Sequence, residues 1–189
     1  MTTAARPLPP ATVFVRATDR HAAALAQLAE ATFVDTFGPL YKPENLAAHV
    51  KIAYSNERML QEIANEQVVL LCRETDPDAT APLGFFQIRE HRNDLLKTLT
   101  EEYVDPCWEV HRLYLVKEAQ GMKLGARLIL HMLSMLKQAG AKSAWLSVYS
   151  ENFRAQRFYE KFGFGHSGHT MEYVVGDQID IEFCYTIKF

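Results

Sequence analysis

Cysteine is scarce. The chain of 189 residues has three, Cys72, Cys107 and Cys184. The number is odd, they are far apart, and no pair has Cys-x-x-Cys spacing, so neither a disulfide framework nor a zinc site is expected. Free buried thiols in a reducing, cytoplasmic compartment are the simplest expectation. Basic charge is not in excess either: 20 Lys and Arg stand against 23 Asp and Glu, for a net charge of −3. That balance argues against a nucleic-acid partner, and the lack of a basic amphipathic stretch argues against a membrane surface. No apolar run approaches the ~20 residues of a transmembrane helix. Residues Met1 to Pro10 are polar and proline-rich and lack the apolar run of a secretory leader. No internal repeat, low-complexity tract or linker divides the chain.

What is present suits one globular domain. Apolar residues make up 48% and charged residues 23%, enough to bury a core at this length. Residues 1–12 read as a flexible arm and 13–189 as a single domain. A short strand at Val13 and Val15 precedes a helix that Asp19 can cap and that runs to about Phe37, with Ala22, Leu25, Leu28, Ala29 and Phe33 on one face. Gly38-Pro39 stops it. Pro43 opens a helix to Tyr54, and another runs from Asn56 to Asn65. The period then changes. Gln67 to Arg73 is an apolar run of strand length, and Leu83 to Glu90 reads as its hairpin partner. His91 to Pro106 is polar with some helical character. Trp108 to Val116 is a third long strand, Gly121 to Ala139 an amphipathic helix stopped by Gly140, and Ala144 to Tyr149 another strand. Asn152 caps a helix to Phe162. Met171 to Val175 and Ile179 to Lys188 form a hairpin around Gly176-Asp177. The order implies an α/β fold, a mixed sheet with helices packed on it.

Chemistry concentrates between Trp108 and Arg127. A strand and a short turn lead into Gln120-Gly121-Met122-Lys123-Leu124-Gly125-Ala126, which opens a helix. Unpaired N–H groups and the positive dipole end at such a helix start suit a pyrophosphate. The same two glycines also fit a plain turn. The stretch is neither a Walker loop, since Gly-Lys-Ser/Thr is missing, nor the dinucleotide GxGxxG.

This segment is similar to the core of the GNAT superfamily of acetyl-CoA-dependent N-acetyltransferases, which carries Gln/Arg-x-x-Gly-x-Gly/Ala after its fourth strand. Gln120, Gly125 and Ala126 fit, while Lys123 stands where glycine is usual. A second block, Asn152-Phe153-Arg154-Ala155-Gln156-Arg157-Phe158-Tyr159-Glu160-Lys161-Phe162-Gly163-Phe164, resembles the family's Asn-x-x-Ala-x-x-Phe-Tyr-x-x-x-Gly-Phe. The resemblance covers about the last 85 residues. More narrowly, Ala31 to Gly38 and Gly168 to Asp177 resemble the branch that acetylates polyamines.

The resemblance implies a mostly antiparallel central sheet whose fourth and fifth strands splay apart, with acetyl-CoA as cosubstrate and no metal. It assigns Leu113, Tyr114 and Leu115 to the pantetheine arm, Gln120, Gly121, Met122, Lys123, Leu124, Gly125 and Ala126 to the pyrophosphate, and Asn152 to the CoA arm as well as to a helix cap. Tyr159 is the implied general acid toward the leaving thiolate, and Glu109 the implied general base, with His111 or a water relay as alternatives. In an extended strand Glu109, His111, Leu113 and Leu115 would share a face. An oxyanion would meet a backbone N–H near Leu115. Phe33, Phe37 and Tyr41 are candidates to wall an amine pocket, with Glu30 or Glu90 attracting positive charge.

The expected function is transfer of an acetyl group to a small amine or polyamine, and the resemblance leaves a homodimer open. Two alternatives stay open at this point: a protein N-terminus or lysine as acceptor, and a non-catalytic acyl-CoA-binding module.

Overall fold

The computed structural model describes residues 10–76, 78–90 and 103–189. The expected arm falls mostly outside the described residues, as does the 91–102 part of the stretch given helical character. The first strand, β1, spans Thr12–Arg16. A 3-10 turn, Asp19–His21, then leads into helix α1, Ala22–Phe37. The expected cap at Asp19 moves back one residue. Thr18 is the extended residue before the turn, and its N–H donates to His21 Nδ1 at 2.9 Å. Helix α2 covers Pro43–Ala53 and α3 covers Asn56–Asn65, with the Ser55 side chain accepting from the Arg58 N–H.

Strands β2 (Gln67–Arg73), β3 (Gly84–Glu90) and β4 (Cys107–Leu115) follow, then helix α4 (Leu124–Gln138), β5 (Ser143–Tyr149), helix α5 (Phe153–Lys161), β6 (Gly165–Val175) and β7 (Gln178–Lys188). Helix α4 begins three residues later than its pattern suggests. Gly121 and Lys123 both have left-handed φ, 77° and 62°, a region in which an α-helix cannot propagate. The closing hairpin is longer than expected, because β6 already begins at Gly165.

The seven strands lie in the order β1-β2-β3-β4-β5-β7-β6. Among the described pairings, β4 with β5 is parallel and the rest are antiparallel. The sheet is apolar on both faces. One core joins Phe86, Ile88 and Val110 to Leu128, Met132 and Leu136 of α4. The other joins Leu70 and Phe85 to Leu25 and Phe33 of α1 and Met59 of α3. Central strands buried on both sides read as continuous apolar runs, which is why Val68 to Cys72 shows no alternation.

One irregularity positions the site. Gln87 pairs with Arg112 and Ile88 with Val110, so His111 has no partner on β3. This bulge shifts the alternation of β4 by one residue. Trp108 and Val110 before it, and Leu113 and Leu115 after it, all pack on the α4 side. Glu109 therefore lies on the opposite face from Leu113 and Leu115, with Tyr114. The expected shared face is corrected by the bulge at His111.

Candidate active site

β4 and β5 pair only at Cys107, Trp108 and Glu109, opposite Ser143, Ala144 and Trp145. Beyond that point the strands part, and a cleft of about 670 Å³ opens between them. Val116 N–H donates to Leu83 O at 2.9 Å on the β3 side. Strand alternation then turns the N–H and C=O of Leu115 and Leu113 into the gap. Consistently, Gln120 Nε2 reaches the Leu115 carbonyl from that side at 3.3 Å.

Leu113, Tyr114, Leu115, Gln120 and Gly121 line this cleft, as do Lys123, Gly125, Ala126, Asn152 and Tyr159. Met122 and Leu124 do not: Leu124 is buried in the α4 core and Met122 packs against that core. Those two can serve a ligand only through backbone groups. Gly125 and Ala126 at the start of α4 line the cleft, and the first N–H groups of a helix lack intrahelical partners and carry the positive dipole end. A Cβ on Gly125 would meet Phe158 Cε2 at 3.5 Å and Leu115 Cδ1 at 3.6 Å, ordinary contact for a methyl and too close for anything longer. A cleft lined by strand backbone that has parted from β5 on one wall and by a helix N-terminus fits a pantetheine chain and its pyrophosphate.

Lys123 holds the position where glycine is usual, with φ 62° and ψ 7°. The conformation explains the motif, since only glycine adopts it without a Cβ penalty, about 1–2 kcal/mol for other residues. Lys123 is one of the residues lining the cleft. Asn152 caps α5 by accepting from Ala155 N–H at 3.1 Å. Arg154 Nη1 donates to Gln120 Oε1 at 3.0 Å and ties α5 to the loop.

Tyr159 projects from α5 into the cleft, its ring wedged edge-on against Phe158 and Phe164, with centroids 5.4 and 5.8 Å away. Burial raises its pKa, so the phenol stays protonated. Tyr114 is raised by burial and by the neighbouring Tyr159.

Glu109 sits in a relay of charges. Arg89 donates from Nε to Oε2 and from Nη2 to Oε1, each at 2.8 Å. His111 Nδ1 lies 3.0 Å from the same Oε1. Burial alone would raise this carboxyl, but the hydrogen bonds from His111 and Arg89 outweigh it and hold it down at about 2. A carboxylate so held is a poor proton acceptor. It can only accept hydrogen bonds, so the imidazole hydrogen is assigned to Nδ1 and the lone pair is left on Nε2. Behind it, Arg89 Nη1 donates to Glu66 Oε1 at 3.2 Å, and Gln87 Nε2 joins Glu66 at 2.7 Å to Glu62 at 3.0 Å. Arg112 closes the chain by donating to Glu62 and to Gln87 Oε1.

A second cavity, about 260 Å³, lies on the other side of the strand gap. Phe33, Phe37 and Tyr41 wall it as expected. Glu30 and Glu90 are exposed and line neither cavity. The acids there are Glu109, Glu172, Asp180 and Glu182. Asp180 accepts from the Tyr41 hydroxyl, and Glu182 accepts from Ser147 Oγ on β5. Burial raises Glu182, and so does Asp180 beside it, against the lowering by Ser147 and His111. The sequence carried a signal for this pair. Asp180 and Glu182 alternate with Ile179, Ile181 and Phe183, which is the pattern of a strand presenting one polar face.

Two cavities that share lining residues at a strand gap, one of them lined by a helix start, have room for two substrates side by side. The chain belongs to the acetyltransferase (GNAT) family, whose profile matches residues 23–164. It is an N-acetyltransferase of that type. An uncharacterized N-acetyltransferase of Mycobacterium bovis is 29% identical over 145 residues, covering 76% of this chain and 83% of the relative. A spermidine N(1)-acetyltransferase of Thermoplasma acidophilum is 27% identical over 142 residues, 74% of this chain and 80% of the relative. The fold is shared with the PaiA N-acetyltransferase of Thermoplasma acidophilum, solved in complex with coenzyme A, at a TM-score of 0.72 and 20% identity over 95% of this chain and 99% of that one. It is shared also with a GCN5-related N-acetyltransferase of Rhodopseudomonas palustris, at 0.70 and 14% over 97% and 99%.

Proposed function

We propose that this enzyme transfers the acetyl group of acetyl-CoA directly to the primary amine of a small cationic acceptor, a polyamine among them. The observation that carries this reading is the meeting of the two cavities at His111, Tyr114 and Glu182, which line both. The elongated cleft fits the donor, and the acidic, aromatic cavity fits a compact cation. Similarity to a spermidine N(1)-acetyltransferase supports the same acceptor class.

Acetyl-CoA supplies a thioester whose carbonyl carbon a neutral amine can attack. A primary ammonium has a pKa of ~10, like lysine, and must lose a proton first. In this reading His111 Nε2 takes it, with Glu109 holding Nδ1 and stabilising the imidazolium. Glu109 thus acts through His111, and Arg89 positions Glu109. The Leu115 N–H, turned into the gap, meets the developing oxyanion. Tyr159 donates to the departing sulfur. Its raised pKa is no obstacle, because the same burial raises a thiol as well. Backbone of Leu113 and Leu115 holds the pantetheine arm, with Asn152 beside it. Gln120 to Ala126 hold the pyrophosphate, Lys123 adding a positive charge.

The test is release of free CoA thiol from acetyl-CoA in the presence of spermidine, putrescine, amino acids, aminoglycosides and short peptides. Turnover with the polyamines is expected. Turnover confined to peptides would transfer the acceptor to proteins and overturn the small-amine reading.

A further inference from the structure

We propose that Glu182 is the residue that binds the reacting ammonium of the acceptor. The inference rests on the acetyl-transfer reading above and names the acceptor contact within it.

Three observations carry it. First, among the described residues Glu182 is the acid that lines both the cleft and the second cavity. The nitrogen that attacks must stand where those spaces join. Second, its carboxylate is largely enclosed and no cationic side chain among the described residues forms an ion pair with it. The cations nearby are already engaged, Arg89 by Glu66 and Glu109, and Arg112 by Glu62. An enclosed carboxylate without a counter-charge is costly, and a bound ammonium removes that cost. Third, Ser147 Oγ donates to Oε2 from β5 and fixes the group, while the structure gives Oε1 no donor among the described residues. One oxygen is anchored and the other is open to a ligand.

The groups that feel Glu182 agree with this assignment. His111 faces it from β4 and Asp180 from its own strand. Tyr41, Tyr114, Tyr173 and Cys184 surround it as neutral groups. Glu109 cannot take the same role, because Arg89 occupies both of its oxygens. An ammonium on Glu182 has the His111 imidazole beside it. Proton loss to His111 then leaves the neutral amine at the strand gap, facing the thioester. The Glu182 carboxylate is unchanged by the step, and the proton rests on His111 until water removes it.

The experiment uses the full chain, with spermidine as probe. Binding to the CoA-loaded protein is measured by calorimetry, and steady-state turnover by thiol release. For Glu182→Gln, spermidine binding and KM are expected to weaken tenfold or more, the loss falling on KM rather than kcat. Glu182→Asp should recover part of the affinity, and the KM for acetyl-CoA should not move. The unliganded Glu182→Gln protein should melt no lower than wild type, since an unpaired buried charge is removed. Should that variant fail to fold, Ser147→Ala is read in its place, with a smaller rise in KM. Unchanged spermidine affinity in the variants would overturn the assignment. So would loss of kcat at constant KM, which would give Glu182 a part in proton transfer instead. Wild-type binding without turnover would keep the ammonium site and remove the acetyl-transfer reading. Absence of both, with acetyl transfer to an uncharged amine, would remove the ammonium site and keep acetyl transfer.

Discussion

Arg89 grips both carboxylate oxygens of Glu109 at 2.8 Å. The pair spans β3 and β4 directly opposite one another in register. It is the step by which a charge network rooted in α3 reaches β4 and His111.

Removing Arg89 leaves Glu109 buried without its main partner. Arg89→Gln is expected to destabilise the fold by about 3 kcal/mol and to lower kcat, since His111 loses its fixed orientation. Denaturant unfolding and steady-state kinetics read the two effects separately. A stable variant with normal kcat would remove Arg89 from the site.

Glu109 also sets an acid limit. Its folded pKa, about 2, lies below the ordinary 4.5. A depressed carboxyl adds stability above its unfolded pKa and loses it as pH falls through the folded one. The window is therefore about pH 4.5 down to 2, with roughly 3 kcal/mol at stake. Melting temperatures should fall across it, and Glu109→Gln should flatten that fall.

Tyr159→Phe keeps the ring packing against Phe158 and Phe164 and removes only the hydroxyl. Turnover should drop tenfold or more, with CoA affinity close to wild type. Unchanged turnover would mean the thiolate leaves without this donor.

The loop that opens α4 is tested at two glycine-type positions. Gly125→Ala should fold and bind, because its methyl finds ordinary contact distances. Gly125→Val should push into Phe158 and Leu115 and weaken CoA binding first. Lys123→Gly relieves a left-handed lysine and should leave stability within about 1 kcal/mol of wild type while weakening CoA. If CoA affinity rises instead, Lys123 serves no phosphate.

Much of the architecture was legible in the sequence because its signals are local. Asn152 does cap α5, Pro43 does open α2, and the α1 stripe Ala22, Leu25, Leu28, Ala29 and Phe33 is buried. The bulge at His111 was not legible. It depends on pairing between β3 and β4, and a period-two pattern in β4 alone puts Glu109 on the face of Leu113 and Leu115. The binding of Glu109 by Arg89 was hidden for the same reason, being a contact across strands. The α4 start is hidden in the sequence, because the left-handed position 123 holds a lysine and not a glycine. Asp180 and Glu182 were visible as an alternating strand, but only the fold turns that strand toward His111.

The most direct measurement is free CoA thiol release from acetyl-CoA with spermidine, followed in wild type and Tyr159→Phe. The account predicts turnover in the first and at least a tenfold loss in the second, with equal CoA affinity. Turnover absent from wild type across the whole amine panel, or identical in both proteins, would contradict it.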